Sequence, residues 1–153
     1  MNTEMSIVED FLVEAKINTY AGGGTLSDSS RPNSKDMHYS KGKYQYIDTY
    51  LGGINFIGEE AVYYEEKAVW GMNYYGEMLK GEGVPPGFSK CLKSALRAVP
   101  KEAPYRGPKI YDDGDFQYRC RWYGSVESFH GEEYISYKNT DIYKLRFHGG
   151  IIS

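Results

Sequence analysis

The sequence predicts an α+β fold: an internally duplicated unit of one helix plus a three-stranded antiparallel meander, giving mostly antiparallel sheet with two main helices. Three observations lead there. Two stretches carry apolar residues at helical spacing, and six alternate apolar with polar. One phrase, Phe-x-Gly-Glu-Glu-x-aliphatic-x-Tyr, is written twice, as FIGEEAVYY at 56–64 and FHGEEYISY at 129–137.

Residues 5–17 place Ile7, Phe11, Leu12 and Ala15 on one helical stripe. YAGGGTLSDSSRPNSKD, 20–36, is rich in Gly, Ser and Pro and reads as a loop. Alternating runs follow at 43–51, 55–64 and 68–75, with turns at Gly52-Gly53 and Glu65-Glu66. After GEGVPPG, residues 88–99 give a second helical period through Phe88, Cys91, Leu92, Ala95, Leu96 and Val99, and Pro100 stops it. Three more alternating runs lie at 115–123, 128–137 and 141–148.

The two halves align. A shift of 72 residues matches Tyr39, Gly42, Gln45, Tyr46 and Gly52 with Tyr111, Gly114, Gln117, Tyr118 and Gly124. A shift of 73 then matches Phe56, Gly58, Glu59, Glu60, Tyr64 and Gly76 with Phe129, Gly131, Glu132, Glu133, Tyr137 and Gly149. The expectation is one domain, 1–153, made of two repeats, about 5–76 and 88–149. The repeat is too long, and its copies too few, for a solenoid. Whether the meanders make one sheet or two facing sheets is left open.

Composition excludes some functions. Net charge is −3, so bulk electrostatics do not favour nucleic acid or anionic lipid. The N-terminus is acidic, unlike a signal peptide, and no run reaches the roughly 18 apolar residues of a membrane span. Cys91 and Cys120 are expected to be reduced thiols in a cytoplasmic protein. Tyrosine is abundant, 16 residues, and suits surfaces that are apolar yet hydrogen-bond.

Strand alternation assigns faces. One face of the first meander carries Tyr44, Tyr46, Asp48 and Tyr50, then Phe56, Glu60, Val62 and Tyr64, then Trp70, Met72 and Tyr74. The matching face of the second carries Tyr118, Cys120, Trp122, Phe129, Glu133 and Tyr143. Each aromatic face thus contains a glutamate, and only the first adds an aspartate. A lone carboxylate on such a face must be paired, protonated or facing a wet cavity. As a structural element, Glu60 and Glu133 hold tyrosine hydroxyls, Arg31, Arg106 or backbone amides at the join between halves. As a binding element, Glu60, Asp48, Tyr44, Tyr46, Tyr64, Trp70 and Glu133 form an acidic aromatic cleft for a cationic or aromatic small molecule. Trp70 and Trp122 also suit a core.

The opposite face of the first meander holds Ile47, Leu51, Ile57, Ala61 and Val69, apolar enough to be covered by a helix. That of the second holds Arg119, Arg121, His130, Glu132, Lys144, Arg146 and His148 and reads as solvated, with phosphate or single-stranded nucleic acid as the competing use. A two-residue turn at 138–141 sets 148 against 131 and puts the histidines on opposite faces. Metal binding needs a one-residue bulge there and a third ligand such as Glu132. No cofactor or metal is implied. AGGG at 21–24 follows a helix and lacks the Gly-Lys-Ser/Thr of a phosphate loop. Neither cysteine has a base at a spacing that suggests a nucleophile.

The phrases SSRPNSKD, YIDTYLGG, FIGEEAVYY, VWGMNYYGE, APYRGP and FHGEE resemble the bacterial family catalogued as domain of unknown function 5680, over nearly the whole chain. The resemblance implies no established activity. It does imply a stand-alone form of a domain that elsewhere follows an N-terminal helix-turn-helix, like the sensory half of a regulator. The expected function is therefore a ligand-binding or sensory domain with a small-molecule partner; a homodimer is compatible with it. The alternatives are an enzyme using Glu60 as general acid or base, and a protein-interaction module.

Overall fold

The computed structural model describes residues 3–81 and 83–153. Among these residues the chain forms helix α1 (Thr3–Asn18), strands β1 (Lys35–Lys41), β2 (Tyr44–Gly52), β3 (Phe56–Tyr64) and β4 (Lys67–Met78), helix α2 (Phe88–Arg97), and strands β5 (Ile110–Asp113), β6 (Phe116–Ser125), β7 (Ser128–Tyr137) and β8 (Thr140–Ile151). All eight strands join one antiparallel sheet in the order β1-β2-β3-β4-β8-β7-β6-β5. The fold is α+β, mostly sheet. Each half contributes four strands where the sequence predicted three, and they lie in one sheet. The two extra strands are the outermost ones. KDMHYSK and IYDD are polar and short, the usual character of an edge, and so give little alternation to read.

The halves meet at β4 and β8, where Tyr74 lies opposite Phe147. These residues are 73 apart, the spacing of the repeated phrase. The β3–β4 ladder shifts register between Val62 and Tyr63, and the β7–β8 ladder shifts between Ile135 and Ser136, again 73 residues on. The intervening hairpins turn on Glu65-Glu66 and Lys138-Asn139, all with positive φ. Two positive-φ residues give the turn whose twist matches that of the strands. The glycine of the repeated phrase has a packing reason. A Cβ on Gly58 would sit 2.4 Å from the Tyr74 ring, and one on Gly131 would sit 2.3 Å from the Phe147 ring. The missing side chain lets a ring from the next strand lie across the backbone.

Both helices pack on the aromatic face. α1 buries Val8, Phe11, Leu12 and Ala15, whereas Ile7 is 46% exposed. Val8, not Ile7, continues the i, i+3, i+4, i+7 stripe toward the sheet. α2 starts after Gly87, which takes a left-handed conformation, and buries Phe88, Cys91, Leu92, Ala95 and Leu96. Between α2 and β5, residues 103–107 (APYRG) are buried as well, and Tyr105 stacks on Phe129 with centroids 3.9 Å apart. The predicted helical cover of Ile47, Leu51 and Ile57 is corrected: both helices lie on the other side, and Ile57 is 54% exposed. Among the described residues no helix is long and apolar enough to cross a membrane.

Candidate functional site

Alternation along β2 and β3 brings Asp48 and Glu60 directly opposite each other, facing the helices. β6 and β7 bring Cys120 and Glu133 together in the same way. All four side chains are buried. What neutralises each carboxylate distinguishes the sites.

Glu133 is saturated. Arg106 clamps it with Nε to Oε2 at 3.0 Å and Nη2 to Oε1 at 2.6 Å. Tyr118 and Tyr143 donate their hydroxyls to the same two oxygens at 2.5 and 2.7 Å. The Tyr118 hydroxyl also accepts from the Gly107 backbone N–H at 2.8 Å. Burial works against the Arg106 charge, yet Glu133 more than reverses this and holds the guanidinium well above its usual range. Four donors on two oxygens leave this carboxylate little to offer a ligand.

Glu60 is held by a point charge. Lys16, on α1, reaches Oε1 at 2.9 Å and Oε2 at 2.8 Å and gives its remaining donor to the Tyr105 carbonyl at 2.7 Å. Tyr46 also donates to Oε1. Burial pulls the Lys16 ammonium below its usual range, against the attraction of Glu60. Burial and the two neighbouring carboxylates push the Tyr46 hydroxyl far up.

Asp48 differs from both. Its Oδ1 accepts one hydrogen bond, from the Tyr74 hydroxyl at 2.6 Å. Among the described residues no side-chain hydrogen bond to its Oδ2 is found. The group is 6% exposed. Burial first, and then the charge of Glu60, push its carboxyl up to about 7. Cys120, at the corresponding place in the second half, is pushed by burial to about 12, and Cys91 to about 11. Both are free thiols and neither is an activated nucleophile.

Asp48 lies on a cavity of about 220 Å³ between the sheet and the helices. Its walls include Tyr20, Tyr50, Phe56 and Tyr74, with Arg106 and Lys35 as cationic members. A second space of about 20 Å³, bounded by Lys16, Tyr46, Asp48 and Glu60, adjoins it and is the size of a water site. A wider groove of about 1190 Å³ runs over the opposite sheet face, floored by Ile47, Leu51, Ile57 and Tyr75 and walled by Ser27–Arg31. The smaller cavity is the better candidate, because a buried carboxylate with an open oxygen is found there.

The seven residues that the sequence singled out are therefore dispersed. Asp48 borders the cavity. Glu60 and Tyr46 border the water-sized space and are engaged with Lys16 and each other. Tyr44 and Tyr64 face each other at the far end of their strands, beside Phe11. Trp70 is fully buried, donates Nε1–H to the Val126 carbonyl at 3.0 Å and stacks on Phe129. Glu133 sits in the Arg106 clamp. Of the expected partners Arg106 is one, whereas Arg31 lines the opposite groove. Sequence reasoning missed Lys16, Lys35 and Tyr20. Lys16 had a signal: it lies four residues after Leu12 and extends the buried stripe.

Three cations of the basic face are paired within it. Arg119 pairs with Asp141, while Arg121 and Lys144 share Glu132, to which Tyr134 also donates. The Tyr134 hydroxyl and then the two cations hold Glu132 down to about 2. The bulge at Ile135/Ser136 sets His130 opposite His148, not His148 opposite Gly131. The histidines thus share a face, as the one-residue-bulge alternative required, with the two-residue turn at Lys138-Asn139. Among the described residues no group of three His, Cys, Asp or Glu side chains is placed to hold a metal ion.

No curated protein and no solved structure matches the chain. A family model does, over residues 48–152, and its description is "Domain of unknown function (DUF5680)". The match begins at Asp48 and spans the sheet from β2 to β8 together with α2 and the Arg106 segment, so the chain belongs to that family.

Proposed function

We propose that the chain is a ligand-binding or sensory domain that takes a small cationic or aromatic molecule into the cavity at Asp48. A charge count carries the reading. Around the cavity three carboxylates, Asp48, Glu60 and Glu133, are buried with two cations, Lys16 and Arg106. Glu133 is matched to Arg106 and Glu60 to Lys16. Asp48 is the carboxylate in excess, and a buried carboxylate without a counter-charge is neutralised by a proton or by a bound cation. Tyrosine rings around it favour the cation further.

The site is built once. Where the first half has Asp48 and its hydrogen-bond donor Tyr74, the second has Cys120 and Phe147. We also read the halves, about 5–76 and 88–149, as copies of one ancestral unit. The matched bulges and turns support that, and this residue pair is then where the copies diverged. The enzyme reading, with Glu60 as general acid or base, draws less support, since Lys16 and Tyr46 occupy its oxygens. An interaction module using the basic face draws less support too, since Arg119, Arg121 and Lys144 are paired within that face.

The test is a thermal-shift panel of primary and quaternary aromatic amines on the full chain and on Asp48→Asn. A binder at a hundredfold excess over its dissociation constant stabilises by about 2.7 kcal/mol. Shifts in the wild type that vanish in the variant are expected. Silence in both, or equal shifts in both, would sink the reading.

A further inference from the structure

We infer that the cavity at Asp48 selects a bipolar molecule, with an amine seated at the Asp48 carboxylate and an anionic group held at Lys35, joined by an apolar spacer. The inference rests on the proposal that Asp48 binds a cation, and it adds the second charge and the orientation.

The cavity is polarised along β2. Asp48 and Tyr50 lie two residues apart on the same face, which on a strand is about 6.8 Å. Tyr50 pairs across the ladder with Lys35 of β1. The Lys35 ammonium lies 5.6 Å from the centroid of the Tyr50 ring, and both residues line the cavity. Lys35 has no ion-pair partner among the described residues. Nearby, Tyr20 meets the Tyr50 ring edge-on at 6.3 Å, and the Lys93 ammonium lies 5.3 Å from the Tyr20 centroid. An aromatic passage thus has a carboxylate at its inner end and ammonium groups at its outer end.

That polarity sorts ligands. A dication meets Lys35 and Lys93 with like charge, and a dianion meets Asp48. An uncharged hydrocarbon leaves the Asp48 Oδ2 unpartnered. A molecule with an ammonium at one end, a carboxylate at the other and an aliphatic or aryl body between satisfies both ends. The volume of about 220 Å³ limits it to the scale of a single amino acid. The chemical class is the ω-amino acids and aminomethyl-arene carboxylates.

Titration calorimetry on the full chain tests this with ω-amino acids of three to eight carbons, 4-(aminomethyl)benzoate, and the matching amines and acids that lack one charge. The bipolar compounds are expected to bind better than the amines and acids that lack one charge. Because Lys35 is exposed, the gain over the matching amine is about fivefold at most. Lys35→Met, which keeps the apolar stem over Tyr50, should abolish that gain, so that each bipolar compound binds no better than its matching amine. If amines bind as tightly as their bipolar counterparts, or if Lys35→Met weakens both equally, the inference is overturned while the cation site stands. If no amine binds, bipolar or not, the inference and the cation site fail together.

Discussion

Glu60 and Glu133 occupy the same place in the repeated phrase and the same face of the sheet, yet they are compensated in different ways. The guanidinium on Glu133 arrives as a fork with two parallel hydrogen bonds, and two tyrosine hydroxyls complete the shell. The ammonium on Glu60 is divided between the carboxylate and a backbone carbonyl, and a second carboxylate stands beside the pair. The arginine half is closed in charge and in hydrogen bonds. The lysine half is not, and the cavity lies on that side. Similar local sequence therefore gives a sealed core in one half and an unsatisfied one in the other. The partner's geometry, not the glutamate, decides which.

The comparison breaks hardest at Arg106. Arg106→Met leaves Glu133 buried without a counter-charge, and removing one member of such a pair costs about 3–5 kcal/mol. Urea denaturation at pH 7 should show a loss of that size. A loss under about 1 kcal/mol would mean that Tyr118 and Tyr143 alone suffice.

The next effect belongs to Asp48 and depends on pH. Its carboxyl sits at about 7 in the folded chain against an ordinary value of 3.8. Between those values the folded state holds a proton that the unfolded state has released. Its contribution to stability is thus full below the lower value, falls as pH rises through the window, and levels off above about 7. At about 1.4 kcal/mol per pKa unit the loss over that window is about 4 kcal/mol. Asp48→Asn removes that dependence. The variant should gain on the wild type as pH rises from 4 to 8, measured as the difference between the two melting curves. A constant difference would refute the buried-acid account.

The smallest change makes one half imitate the other. Tyr74→Phe puts the second half's residue in the first, where the ring can still lie over Gly58 as Phe147 lies over Gly131. Loss of the hydroxyl's bond to Asp48 costs about 1 kcal/mol. It also removes an interaction that lowers the Asp48 pKa, so the upper end of the pH window should move above its wild-type position. An unmoved window would show that the hydroxyl does not hold the carboxylate in solution.

Much of this architecture could be read in advance because strand alternation is a strong signal in FIGEEAVYY, YQYIDTYLG and SFHGEEYISY. Alternation also put Asp48, Glu60 and Glu133 on the inner face, and the contrast between Asp48 and Cys120 pointed to the half with the cavity. What could not be read came from longer range. Lys16 on an amphipathic helix reads as solvated until a facing carboxylate is known. Tyr44, Tyr64 and Trp70 share the face of Asp48 but sit too far along their strands, or too deep, to reach the cavity. Ile47, Leu51 and Ile57 look fit for burial, yet α1 and α2 both bury their apolar stripes against the aromatic face.

One short segment ties the two compensations together. The Tyr105 carbonyl holds the ammonium of Lys16, and the next side chain, Arg106, holds Glu133. α1 cannot swing away without stripping Glu60 of the Lys16 ammonium and freeing the segment that carries Arg106. The N-terminal helix would ordinarily be the first element to fray. Here it is expected to open with the central strands rather than before them, which amide exchange along α1 would show.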